Sequence, residues 1–381
     1  MAIPVTTRML RLFDYSSINE YQLEITSYCN AACPQCPRNE NGQGINPRMP
    51  LCHLDRTVID RTFDKDLCGR LRQVFFCGSY GDPIMHPDFL DILRDFRNKS
   101  PELWLYFHTN GGVHDPAYWQ EIAGIMNGYG QIDFGIDGLE DTLHLYRKNV
   151  KYSKVIENAQ AFIDARGRAQ WNFIVFRHNE HQVNSVKQLG KELGFYNVLI
   201  RRTGRFFNHR TVEEMSVWPV RDEYVIEPPT NTEYRNQSML FLPNLKQQYQ
   251  NLREYFNTTQ IRCDALIGPK VAINAEGLVL PCNFFNHNLY DRRFYELGVL
   301  PEANALSTVD GKNQVRTFLE SYGLDSFNIN IHTLKEIFSN PMWNDLVESW
   351  SKTLDQGRLF ECAMTCGSHL QKVWDQGGSK R

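Results

Sequence analysis

The chain has 381 residues, a formal charge of -3, 42% hydrophobic and 22% charged residues, and ten cysteines. Its length suits one large domain with an appendage, and its composition excludes a disulfide-stapled mini-protein or a long disordered chain. Near-neutral charge gives no global field for nucleic acid, no stretch reaches the ~20 apolar residues of a membrane helix, and MAIPVTTRMLRLFDYSS carries no apolar signal core, so neither nucleic acid nor a membrane is an expected partner.

A cytoplasmic location is the expectation that follows, and there thiols stay reduced, so ten cysteines need not mean five disulfides. Residues 1–18 read as a lead-in. Leu23 and Ile25 alternating with polar neighbours predict a first strand from Tyr21 to Thr26, and TSYCNAACPQC follows it, with Cys29, Cys33 and Cys36. Closely spaced thiolates in a reducing compartment hold metal or an iron-sulfur cluster. A cubane held by three thiolates keeps one iron open to a further ligand, which is an arrangement for chemistry rather than passive electron transfer. Zinc on three cysteines with His53 is the alternative.

A second strand, Leu71 to Cys77, runs into Gly78, Ser79, Tyr80, Gly81, Asp82 and Pro83, and a helix is expected from Pro87-Asp88. Glycines at a strand end let backbone approach a ligand, and Asp82 before proline is held extended. Further strands are predicted at Leu103–His108, Gln131–Ile136, Trp171–Phe176 and Asn197–Arg201, with helices at Asp115–Met126, Tyr152–Ala165 and Val183–Leu193. Six strand-helix units predict an open, partial barrel with ligand-facing residues at the C-terminal strand ends. Asn110, Asp137 and Arg177 stand at such ends as candidate ribose or carboxylate contacts, and His108 and His178 as candidate proton relays.

From Thr203 to about Gln260 the pattern becomes irregular and reads as a segment draped over the open barrel. Arg201, Arg202, Arg205 and Arg210 with Phe206 and Phe207 form a short basic run that suits phosphate, carboxylate or RNA, or else a solvated edge. Residues 261–381 carry a second cysteine set, Cys263, Cys282, Cys362 and Cys366. PKVAINAEGLVLPC reads as a β-hairpin with Gly277 at its turn. Four thiolates from a hairpin and a distant loop can close around one metal centre, either iron-sulfur or zinc.

Cys29-x3-Cys33-x2-Cys36 after a first strand resembles the signature of the radical S-adenosylmethionine enzymes, and Gly81-Asp82-Pro83 resembles that family's GGEP motif, with Gln35 where the family usually has an aromatic residue. The resemblance implies a (βα)6 TIM-like barrel at 19–202, a 4Fe-4S cluster on Cys29, Cys33 and Cys36, and S-adenosylmethionine (AdoMet) on the residue 78–83 loop. It further implies reductive cleavage to a 5'-deoxyadenosyl radical that takes hydrogen from substrate. Cys-x13-Gly-x4-Cys with a late cysteine pair resembles the twitch domain, a shortened SPASM domain. That likeness implies an auxiliary 4Fe-4S cluster on Cys263, Cys282, Cys362 and Cys366, with residues 203–260 as the linker.

An auxiliary cluster suits net oxidation of a peptide or protein side chain or a small metabolite, with flavodoxin or ferredoxin as the reductant. Redox-neutral epimerisation with Cys77 as hydrogen donor, RNA modification, and a non-catalytic zinc module are the alternatives. Cys52 and Cys68 read as ordinary small residues.

Overall fold

The computed structural model describes residues 13–40, 42–77, 79–203, 206, 218–220, 224–236, 248–290, 308–309 and 312–368. Six parallel strands lie side by side in chain order: β1 (Glu20–Leu23), β2 (Gln73–Phe76), β3 (Trp104–Thr109), β4 (Gly130–Gly135), β5 (Ala169–Ile174) and β6 (Asn197–Arg201). The crossovers hold α1 (Phe89–Lys99), α2 (Pro116–Met126), α3 (Tyr152–Asp164) and α4 (Val183–Glu192), all within two residues of the predicted starts. Local signals set these boundaries: Pro116 opens α2 behind Asp115, which accepts from the Tyr118 amide, and Asn127 closes it in a left-handed conformation. Two short helices between β1 and β2, Arg56–Thr62 and Lys65–Arg70, were not predicted.

The sheet does not stop at β1. Strand β7 (Lys270–Ile273) pairs with β1 in parallel, Glu20 opposite Lys270, and β8 (Val279–Leu280) returns antiparallel around Gly277, whose φ is 88°. The predicted hairpin is therefore present, and it extends the barrel's own sheet to eight strands rather than standing on a separate sheet. Pairing with KVAI satisfies the β1 backbone that would otherwise be an open edge.

Alternation along the strands divides the sheet into two faces. Tyr21, Leu23, Val74, Phe76, Leu105, Phe107, Ile132, Phe134, Trp171 and Phe173 are buried in the core shared with the helices. The intervening residues are mostly polar, Gln22, Tyr106, His108, Gln131, Asp133, Gln170 and Asn172, with Phe75 stacked on Tyr106 among them. Asp133 accepts from Tyr106, Gln131, Gln170 and Asn172, which shows that these side chains converge in the barrel lumen. Among the described residues no helix is long and apolar enough to cross a membrane.

Candidate functional site

The three-cysteine loop leaves the end of β1 and is pinned at several points. Arg38, itself buried, donates from Nε to the Ser27 carbonyl (3.0 Å), and the Ala32 amide donates to the Lys148 carbonyl (3.1 Å). Cys33 is buried, Cys29 and Cys36 are half-buried, and Gln35 is fully buried. Asn110 Nδ2 lies 3.7 Å from Cys29 Sγ, and Arg147 Nη1 lies 3.7 Å from Cys33 Sγ. Burial pushes the Cys29 thiol up, with Asp82 and the other two cysteines adding to it. Cys33 is pushed up to about 11, also by burial, against the opposing charge of Arg147.

Cys29 and Cys33 thus sit where thiolate formation is resisted until a cation enters, and Cys36 lies beside both. A metal cluster meets that requirement, because it deprotonates its thiols on binding. Among the described residues no three His, Cys, Asp or Glu side chains converge as they would around a single ion. A cubane spreads its three cysteines over three irons, so the donor set and its burial fit the larger group. His53 stacks on Tyr28 at 4.6 Å between ring centroids and meets His86 edge-on.

The adjoining loop after β2 begins at Gly78, which lies outside the described residues; Ser79, Tyr80, Gly81, Asp82 and Pro83 are described. A Cβ on Gly81 would stand 1.7 Å from the Thr26 carbonyl oxygen, so only glycine lets this loop cross the end of β1. Asp82 is extended, as its proline predicts, with φ -113° and ψ 122°. Its Oδ2 accepts from Thr109 Oγ1 (3.1 Å), the Asn110 amide (2.8 Å) and Asn110 Nδ2 (2.7 Å). Burial raises its carboxyl to about 6 despite these bonds.

Beneath the loop sits Glu24, buried, accepting at Oε1 from the Tyr80 (2.7 Å) and Gly81 (3.0 Å) amides and at Oε2 from Asn286 Nδ2 (2.6 Å). Burial raises Glu24 as well, against those bonds.

Of the strand-end candidates, two meet the cysteine loop and one does not. Asn110 bridges Asp82, Asn30 and Cys29. Asp137, fully buried, accepts from Arg147 Nε (2.6 Å) and from the Ile174 amide (2.6 Å), and so aims the guanidinium at Cys33. Arg147 lies where a Gly135 Cβ would be, 2.3 Å from Nη2. Arg177 is instead exposed and paired with Glu227 at 2.6 Å.

Within the lumen, Cys77 Sγ lies 3.7 Å from His108 Nδ1, and His108 Nε2 lies 3.1 Å from Asp133 Oδ2 and 2.7 Å from Tyr106 Oη. Burial pushes the Cys77 thiol up, and Glu24, Asp82, Asp133 and Cys36 add to it, which keeps it protonated. For Asp133, burial alone would raise the pKa. Its bonds to His108, Tyr106 and Gln131 outweigh that and hold it down at about 2. His178 stands apart, stacked on Phe176, with burial and two neighbouring histidines lowering it to about 4.

The second cysteine set is distant in sequence and close in space. Cys263 caps the turn Asp264–Ile267, Cys282 follows β8, and Cys362 and Cys366 lie one turn apart on the helix Phe360–Cys366. A hydrogen bond to Cys263, then burial, raises the Cys366 thiol. Burial and then Cys366 push Cys282 up to about 12, and burial followed by Cys282 and Cys366 raises Cys362. Backbone links at Ile261 and Gly367, and from the Arg262 amide to the Cys366 carbonyl (2.8 Å), bring the two ends together. The helix Leu252–Thr258, on the linker side of the expected boundary, packs through Tyr255 and Phe256 against Phe360 and Ala363.

Arg201 ends β6 and Arg202 follows it, and Phe206 is buried on Phe176; Arg205, Phe207 and Arg210 lie outside the described residues. Cys68 is buried, with its thiol 3.4 Å from the Phe63 carbonyl, and the Cys52 amide donates to Ser27 Oγ. Sequence reasoning missed Glu24, Asp133, Arg147 and Asn286. The inward-polar alternation of the strands was the available signal for the first two; nothing local marked the others.

The family model described as Radical SAM superfamily matches residues 23–187. Among solved structures, anSMEcpe with bound AdoMet is similar at a TM-score of 0.51 and 15% identity, over 88% of this chain and 81% of that one. Streptococcus suis SuiB bound to precursor peptide SuiA gives 0.46 and 13% over 70% of this chain, and BtrN in complex with AdoMet and 2-DOIA gives 0.43 and 11% over 91% of this chain and 92% of that one. The match spans 59% of the SuiB chain. Comparison with curated proteins returns no match.

Proposed function

We propose, for a chain whose residues 23–187 are a radical SAM domain, that it cleaves AdoMet reductively and oxidises a polar substrate held in the barrel lumen. Cys29, Cys33 and Cys36 would hold a 4Fe-4S cluster, and Ser79 to Pro83 with Asn110 would surround AdoMet, with the buried Asp137 acting behind them through Arg147. When bound, these groups supply a 5'-deoxyadenosyl radical able to take a hydrogen atom from carbon. Arg147, fixed by Asp137, would place its positive charge beside Cys33, and the buried carboxylates Glu24 and Asp82 favour a cationic ligand at the loop between them.

The observation that carries the oxidative reading is the convergence of Cys263, Cys282, Cys362 and Cys366. Four half-buried cysteines brought side by side suit a second 4Fe-4S cluster able to accept the electron left after hydrogen abstraction. A lumen lined by amides, Tyr106 and His108 suits a hydrogen-bonding substrate, either a peptide or protein side chain or a small metabolite. The reductant would be a flavodoxin or ferredoxin.

Metal analysis of the anaerobically purified chain tests this reading: about eight irons and no zinc are expected, falling to about four when Cys29, Cys33 and Cys36 are all alanine. Zinc in the second site would remove the internal electron acceptor. Persistent 5'-deoxyadenosine formation in the triple variant would overturn the assignment altogether.

A second reading rests on Cys77 beside His108. A protonated thiol in the lumen can return a hydrogen atom to a substrate radical, and the thiyl radical left on Cys77 would regain an electron from the flavodoxin or ferredoxin and a proton from solvent, giving epimerisation without net oxidation of the substrate. Solvent deuterium at one substrate carbon, lost in Cys77→Ala, would favour it.

A further inference from the structure

Asn274, at the end of β7, accepts at Oδ1 from the Glu276 (3.1 Å) and Leu278 (2.9 Å) amides, so its Nδ2 must point away from the hairpin turn. That Nδ2 donates to Asn286 Oδ1 at 3.2 Å. Asn286 lies on the helix Asn283–Tyr290, directly after Cys282, and its orientation is thereby fixed in turn. Its own Nδ2 can only donate, which it does to Glu24 Oε2 at 2.6 Å. Glu24 Oε1 then receives the Tyr80 and Gly81 amides. Each link is set by the one before it, and the last requires both Glu24 oxygens to be acceptors, which a carboxylate satisfies and an amide cannot. Two further contacts tie the loop to the same helix: Ser79 Oγ donates to Asn283 Oδ1 (2.8 Å), and Tyr80 Oη to the His287 carbonyl (3.0 Å).

We propose that Glu24 is the positioning residue of the AdoMet loop, and that the directional chain Asn274–Asn286–Glu24 makes the loop's setting depend on the C-terminal hairpin and helix. This rests on the AdoMet reading above. The chain begins at a backbone turn of the hairpin and ends at two amides of the loop, so reversing any one link leaves like groups facing each other in a buried space. Such a mismatch costs enough to displace the weakest member, the loop.

The test is anaerobic equilibrium dialysis of AdoMet against the full, iron-reconstituted chain. Glu24→Gln sets an amide against the Asn286 amide, and Asn286→Asp sets two carboxylates together; each is expected to weaken AdoMet about tenfold or more. In the double variant Glu24→Gln with Asn286→Asp every link again joins a donor to an acceptor, and affinity should return to within about threefold of wild type. A merely structural burden would add in the double variant instead. A folded double variant no better than the weaker single variant overturns the proposal.

Because a buried mismatch can also unfold the chain, Asn286→Ser is the second probe, read by amide hydrogen exchange of residues 79–81 without AdoMet. Faster exchange with weaker AdoMet binding supports the chain of bonds, and wild-type exchange overturns it. Failure of the wild-type chain to bind AdoMet would overturn the cofactor reading itself, which separates the two failures.

Discussion

Arg147, partly buried, and Asp137, fully buried, form an ion pair, Nε to Oδ2 at 2.6 Å, and the same guanidinium reaches to 3.7 Å from Cys33 Sγ. Asp137 has no exposed surface, so removing its partner strands a charge. Arg147→Met is expected to destabilise the chain by about 3 kcal/mol, whereas pairing it with Asp137→Asn should recover much of that. Urea unfolding of the three variants checks it; equal losses in the single and double variants would contradict the pairing as the source.

Gly81 and Gly69 offer a matched contrast. At Gly81 a methyl group would meet backbone, which cannot swing aside, so Gly81→Ala should weaken AdoMet binding by more than about tenfold and destabilise by about 2 kcal/mol. Gly69 lies in the helix Lys65–Arg70 with nothing within 4 Å of its Cβ position, and Gly69→Ala should be neutral or stabilise by about 0.5 kcal/mol. Thermal unfolding and equilibrium binding on both variants decide the point.

Asp133 governs the acid limb of stability. Its folded pKa, about 2, lies below the ordinary 3.8, so ionised Asp133 stabilises the fold above about pH 4, and that contribution disappears as pH falls towards 2. The shift corresponds to about 2 kcal/mol. Asp133→Asn should therefore flatten the fall in unfolding free energy between pH 4 and 2 relative to wild type. An unchanged slope would mean that the lumen network does not hold the carboxylate ionised.

Phe256 packs on Phe360 at 4.6 Å between ring centroids, in a small cluster separate from the main core. Phe256→Ala should cost about 3 kcal/mol in the unit that holds Cys362 and Cys366. With the proposed cluster on Cys263, Cys282, Cys362 and Cys366, faster iron loss to a chelator from that site, with the Cys29, Cys33 and Cys36 site unaffected, is the expected result.

Several features were legible in the chain itself. Strand periodicity and Gly-Asp-Pro punctuation placed all six barrel strands and the four crossover helices within a few residues, because hydrophobic alternation and turn chemistry are local. Tight cysteine spacing marked the first site for the same reason. Arg177 shows the limit of such reasoning: it stands at a strand end like Asn110 and Asp137, yet it turns outward to Glu227, a choice made by a segment some fifty positions later.

By itself the sequence determined the alternating α/β order, the hairpin turn at Gly277 and the three-cysteine loop, since each depends on neighbours within a few residues. Tertiary structure alone decided that β7 completes the sheet beside β1, that Cys263, Cys282, Cys362 and Cys366 meet, and that Glu24 receives the loop amides and Asn286 together. Those relationships join residues up to some 260 positions apart. Only the closing of the sheet, which buries Glu24 and removes water as a competing partner, makes them the way its polar groups are satisfied.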